Sequence, residues 1–213
     1  MVKKDYLNEF IKIVWIFVIG SLFGYLLEII VALLQYGHFV NRQGVLYGPF
    51  IPIYGVGAVM LLLINKKAEK LVYVFLLGMV VGGFVEYIAS FMQEFLFDTV
   101  SWDYSKLPYN FGGRTSMLHI MYWGILSVVF AIIVKPILYK ISPHLDKKEF
   151  KYFTGLIVIF MIINIEISCI AAYRQRERLD NIKANGIIDV LMDKYYPNEL
   201  LDKTFTNKKK IVD

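Results

Sequence analysis

Five long apolar runs separated by short polar stretches constrain this chain more than any other feature. They fall at about 10–34, 49–64, 71–97, 117–138 and 152–172. Crossing a hydrocarbon layer of about 30 Å takes roughly 20 helical residues, and the five runs meet that test with varying margins. The second is the shortest. Its Pro49 and Pro52 can occupy a first helical turn, where a missing N–H costs nothing, so a helix can begin there. A soluble core of this size would need short amphipathic stripes instead. With 57% hydrophobic residues and a mean hydropathy of +0.54, the chain is too apolar for a water-soluble domain. The predicted class is an all-α membrane protein of about five transmembrane helices. Residues 1–173 form the transmembrane domain and 174–213 a charged C-terminal tail.

The formal charge of +5 does not point to nucleic acid, because Lys and Arg sit in clusters between the apolar runs rather than on one face. The first run follows Lys3 and Lys4 as a signal peptide would. It is too long for an h-region, contains Glu28 and lacks a small-x-small cleavage site, so it is expected to remain as an anchor. The lone cysteine, Cys169, lies in an apolar run and cannot build a disulfide or thiolate site within the chain.

Positive charge sets the expected orientation. Lys3, Lys4 and Lys12 precede span one, Lys66, Lys67 and Lys70 join spans two and three, and Lys135, Lys140, Lys147, Lys148 and Lys151 surround the fourth-to-fifth connection. These ends are expected to be cytoplasmic. The loops at 35–48 and 98–116 carry only Arg42, Lys106 and Arg114 and are expected outside. Five spans then place the C-terminus extracytoplasmic, in conflict with basic Arg174, Arg176, Arg178, Lys208, Lys209 and Lys210. Several short loops outweigh one tail, although a re-entrant or missed span would also reconcile the charges. The tail reads as a short charged helix, a break at Gly186, an apolar patch from Ile187 to Met192 and a frayed end, solvated or lying on the surface.

Spans one and three share a pattern. Gly20, Gly24 and Glu28 match Gly78, Gly82 and Glu86 in order, Ile30 matches Ile88, Gln35 matches Gln93, and Pro49-Phe50 has a counterpart in Pro108-Tyr109. A parallel two-helix internal repeat is therefore predicted, repeat A over about 10–64 and repeat B over about 71–138, with a fifth helix at about 150–173 added. Glycines four apart allow close backbone approach.

The repeated glutamates are the strongest chemical signal. A charged side chain near mid-bilayer costs about 2.5–3.5 kcal/mol on insertion scales, so Glu28 and Glu86 are expected to face the bundle interior and to require a cation or a proton. Glu166 and Asn164 are a further polar intrusion in span five. Around these, the outer loops supply Asn41, Arg42, Tyr47, Trp102, Asp103, Tyr104 and Arg114. Arg42 and Arg114 are natural counter-charges for Glu28, Glu86 or Asp103, or a fork for an anionic group. His119 reads as a hydrogen-bonded interior histidine. No H-E-x-x-H, C-x-x-C, G-x-S-x-G or P-loop spacing occurs, so no catalytic residue, metal ligand or cofactor is assigned.

The order G-S-L-F-G-Y-L-L-E, then N-R-Q-G-V-L-Y-G-P-F-I-P-I-Y-G, E-Y, W-D-Y-S and P-Y-N-F-G-G-R resembles the CmpB-like ABC-transporter permease family of small bacterial membrane proteins. The similarity covers roughly the first two-thirds of the chain. It implies a bacterial inner-membrane protein in transport, working with a separate ATPase or another membrane subunit. It carries over Glu28, Asn41, Arg42, Tyr47, Gly48, Pro49, Glu86, Trp102, Asp103, Tyr104, Ser105 and Arg114. An ABC permease receives force through a cytoplasmic coupling element, and the loop at 141–151 could just hold a short one.

The leading expectation is a non-enzymatic transport or solute-recognition subunit. A small polar or charged ligand would sit between the two repeats near the outer face. Two other readings stay open: a membrane-embedded enzyme acting on a lipid or envelope precursor, with arginines holding a phosphate beside a carboxylate base, and a structural or regulatory membrane subunit.

Overall fold

A computed structural model describes residues 6–65, 70–134, 136, 137, 140 and 147–210. Among these residues, four helices are long and apolar enough to cross a membrane, by length and composition: α1 (Tyr6–Tyr36), α3 (Leu71–Phe97), α4 (Met117–Val129, continued to Val134 by a π-helical turn) and α5 (Lys148–Leu179). A shorter apolar helix, α2 (Pro52–Asn65), lies between the first two. After α5 come α6 (Ile187–Tyr195) and α7 (Asn198–Thr204). Strands of two residues each make two small antiparallel ribbons: β1 (Thr99–Val100) pairs with β4 (Lys209–Lys210), and β2 (Asn110–Phe111) with β3 (Thr115–Ser116). Ser116 starts α4, its hydroxyl accepting the His119 amide N–H.

Glycine decides how the helices meet. A Cβ on Gly24 would fall 2.2 Å from the Tyr54 ring, and one on Gly20 would fall 2.7 Å from Ala58, so α1 and α2 touch backbone to side chain. Likewise, a Cβ on Gly82 would meet the Trp123 ring at 2.3 Å and one on Gly78 would meet Ser127 at 2.3 Å, which seats α3 on α4. Trp123 also lies against Gly57 and Tyr54, where α2 meets α4. The Pro-aromatic pairs differ in setting. Pro49-Phe50 leads directly into α2, whereas Pro108-Tyr109 precedes the β2–β3 hairpin.

The second apolar helix begins at Pro52 rather than at Pro49. The Ile51 N–H is taken by the carbonyl of Ser21, and Gly48 has φ +80°. Ser21 lies 15 residues before the end of α1, about 22 Å along the axis at 1.5 Å per residue. The chain at 37–51 therefore folds back alongside α1 to the level of its middle before α2 starts. Non-helical backbone at such depth survives only where protein or a cavity satisfies its polar groups. Here α5 does so. Asn164, 1% exposed, donates to the Tyr47 carbonyl at 2.6 Å and accepts from the Tyr47 N–H at 3.0 Å. Ser168 accepts from the Leu46 N–H at 2.8 Å.

The tail, expected to be solvated or to lie on the surface, packs against the same end of the bundle. Arg174 bonds Asp193 and Glu177, and Arg178 bonds Asp193 and Asn198. Arg176 pairs with Asp98 and donates to the Leu96 carbonyl at the end of α3. Leu201, fully buried, joins Ala171 and Phe205, with Leu46 packed against them. The arginines that conflict with an odd number of spans are thus matched by carboxylates at the end where loops 37–51 and 98–116 lie. Of the residues invoked for orientation, Lys3, Lys4, Lys66, Lys67 and Lys135 lie outside the described residues, as does most of the segment proposed for coupling, at 141–146.

Candidate functional site

Glu86 sits one helical turn beyond Gly82 on the same face of α3 and is 8% exposed. Its carboxylate accepts a hydrogen bond from Thr115 Oγ1 at 2.6 Å and one from Tyr104 Oη at 3.3 Å. Glu28 holds the matching place on α1, beyond Gly24, and accepts from Tyr54 Oη at 2.8 Å. Among the described residues, these partners are all uncharged hydroxyl groups, and neither carboxylate forms an ion pair.

Tyr104 reaches Glu86 from the 98–116 loop. Burial pushes its phenol well above the usual range, and the charge of Glu86 adds to that rise. The ring stacks on His119, centroids 3.7 Å apart, and His119 Nδ1 lies 2.8 Å from Ser116 Oγ. His119 is the hydrogen-bonded interior histidine that its sequence setting suggests.

The arginines go elsewhere. Arg114 pairs with Glu94 and lies over the rings of Tyr87 and Phe91. Arg42 lies over the Tyr36 ring, 5.8 Å from its centroid. Neither reaches Glu28, Glu86 or Asp103 as a counter-charge, and they do not form one fork. Glu166 is exposed on α5 and stays apart from Glu28 and Glu86.

The remaining loop residues build local structure. Asp103 accepts from the Ser105 N–H and hydroxyl, which hold its carboxyl below the usual range. Trp102 donates to the Arg114 carbonyl at 2.8 Å and so closes the 102–114 loop. Asn41 donates to Gln43 and accepts through its carbonyl from Thr206, while Tyr47 Oη and Tyr196 Oη lie 2.7 Å apart. Asn41 and Tyr47 thus belong to the contact between loop 37–51 and the tail.

Sequence reasoning missed Tyr54, Thr115 and Trp123. The available signal was a hydroxyl or indole near the start of each helix that packs on a glycine–glutamate helix.

A family model described as "Putative ABC-transporter type IV" matches residues 15–169, a stretch that contains Glu28, Glu86, the loops at 37–51 and 98–116 and the Asn164 clamp. No curated protein and no solved structure matches the chain.

Proposed function

The chain belongs to this ABC-transporter family, and from that premise we propose that it is the membrane subunit of a transport system driven by a separate ATPase. It handles a small polar or charged ligand between two halves, α1–α2 and α3–α4, near the end that carries loops 37–51 and 98–116. The halves are the two copies of a parallel repeat. The equivalent seating of Gly24 on Tyr54 and Gly82 on Trp123 supports that reading. The membrane is the bacterial inner membrane, with the N-terminus cytoplasmic and the loops and tail extracytoplasmic.

One observation carries the proposal: a carboxylate from each half, held by neutral groups and paired with no cation among the described residues. Glu86 is buried and Glu28 half-buried, and a carboxylate drawn out of water without a counter-charge is costly until a cation or a proton relieves it. The pair therefore suits a ligand that is positively charged or carries several N–H donors. Asn41, Arg42, Tyr47, Trp102, Asp103 and Arg114 shape the loops over the site, with Tyr104 reaching into it.

The test is uptake into membrane vesicles that contain the chain and its ATPase, using labelled small amines and quaternary ammonium ions. Glu28→Gln and Glu86→Gln keep the side-chain shape and remove the charge. Loss of a charge-assisted contact of about 1.5–3 kcal/mol should lower apparent affinity by roughly tenfold or more, with thermal stability unchanged. Equal uptake by wild type and both variants removes the reading.

A further inference from the structure

Helix α6 is turned the opposite way from a helix that faces water. Asp193 points towards α5, where it accepts from Arg174 at 2.9 Å and from Arg178 at 2.7 Å, while Asp189 accepts the Asn185 N–H at 2.7 Å at the helix start. Its outward face carries Ile187, Ile188, Val190, Leu191 and Tyr195, with Ile187 80% and Ile188 59% exposed. A helix on a soluble surface buries its apolar stripe and shows its charges. In α6 the charges anchor the helix to α5 and the apolar stripe is left outside.

Lipid is the occupant that the surroundings favour. Ile170 and Tyr173 are exposed on the span, and beyond the Arg174–Arg178 cluster Leu179, Ile182, Ile187 and Ile188 are exposed again. The stripe is bracketed by Lys183 and Lys194, and Lys194 Nζ lies 5.1 Å from the centre of the Tyr195 ring. Lysine and tyrosine at the margin of an apolar face belong at headgroup level, where the ammonium reaches phosphate and the ring spans the boundary.

We propose that α6 is an interfacial helix, its outward face set into the headgroup–acyl boundary of the bilayer that the chain spans. Through Tyr196, next to its last residue, it grips Tyr47 in loop 37–51. Lipid contact therefore fixes the tail that covers the loop.

Spin labels on cysteines at Ile187, Ile188 and Leu191, each in a Cys169→Ala background, test this in vesicles of phosphatidylethanolamine and phosphatidylglycerol. All three sites are exposed, so the labels leave packing intact. Oxygen, which dissolves in the acyl region, should relax these labels severalfold more than a water-soluble nickel chelate. Stronger relaxation by nickel overturns the proposal in favour of a solvated helix. Exclusion of both reagents overturns it in favour of a protein partner or a second copy over α6. A second measurement uses the unaltered chain in the same vesicles with a diazirine-bearing phospholipid. Adducts on the peptide containing Ile187–Leu191 are expected, and their absence while α5 is labelled refutes the lipid contact.

Discussion

An alanine at Gly24 would place its Cβ 2.2 Å from Cγ of Tyr54, 2.4 Å from Cδ2 and 2.5 Å from Cβ. Those atoms are the root of the ring rather than a flexible tip, so the tyrosine or the whole of α2 must move. Overpacking of this kind costs about 1–3 kcal/mol. A displaced Tyr54 also gives up its 2.8 Å bond to Glu28, and hydrogen bonds to charged groups are worth about 1.5–3 kcal/mol. Alanine returns about 1 kcal/mol of helix propensity. The net expectation for Gly24→Ala is a loss of roughly 1.5–5 kcal/mol. Gly155 in α5 is the control, because a methyl group there would meet no heavy atom within 4 Å. Gly155→Ala should be neutral or stabilising by up to about 1 kcal/mol. Unfolding in mixed detergent micelles, followed by helical circular dichroism, measures both. A double-mutant cycle isolates the ring's share, because Tyr54→Ala removes the ring atoms at 2.2 and 2.4 Å but keeps Cβ at 2.5 Å, so in that background Gly24→Ala should lose part of its penalty. Equal stability of the Gly24 and Gly155 variants, or an unchanged penalty in the Tyr54→Ala background, would refute the reasoning.

Two further outcomes are expected. Asn164→Ala strips both backbone partners from Tyr47; each unsatisfied buried group costs about 1–3 kcal/mol, so a loss of roughly 2–6 kcal/mol should appear in the same unfolding assay together with faster proteolysis within 37–51. Arg174, then Arg178, pull the Asp193 carboxyl from 3.8 down to about 2, so its contribution to tail docking is complete above pH 3.8 and disappears as pH falls towards 2. Limited acid proteolysis should release the tail of the wild type only in that window, and Asp193→Asn should remove the dependence.

Much of the architecture was legible because lipid imposes length and composition on each segment. The four long helices and Glu28 and Glu86 on the glycine faces of α1 and α3 follow from local pattern. The partners of those residues do not. Arg114 was compatible with Glu28, Glu86 or Asp103, yet the folded loop carries it to Glu94, a partner the sequence pattern does not single out. Asn164 stood out as a polar residue in an apolar run, but its role depends on a loop that dips to mid-helix level, which hydropathy cannot encode because the loop is itself largely apolar. The basic cluster of the tail looked like a topology signal since charge alone was visible; that Arg174 and Arg178 share Asp193 depends on the chain turning back after Leu179.

The clamp on Tyr47 also bears on how the protein is made. Asn164 follows Tyr47 by 117 positions, so during synthesis the peptide groups of the dipping segment have no permanent partner until the last long helix has emerged. Contacts that far apart in sequence close slowly. The first helical pair therefore waits, incompletely assembled, for the end of translation, and a ribosome stalled before residue 164 leaves a nascent chain whose early half is inserted but not yet locked.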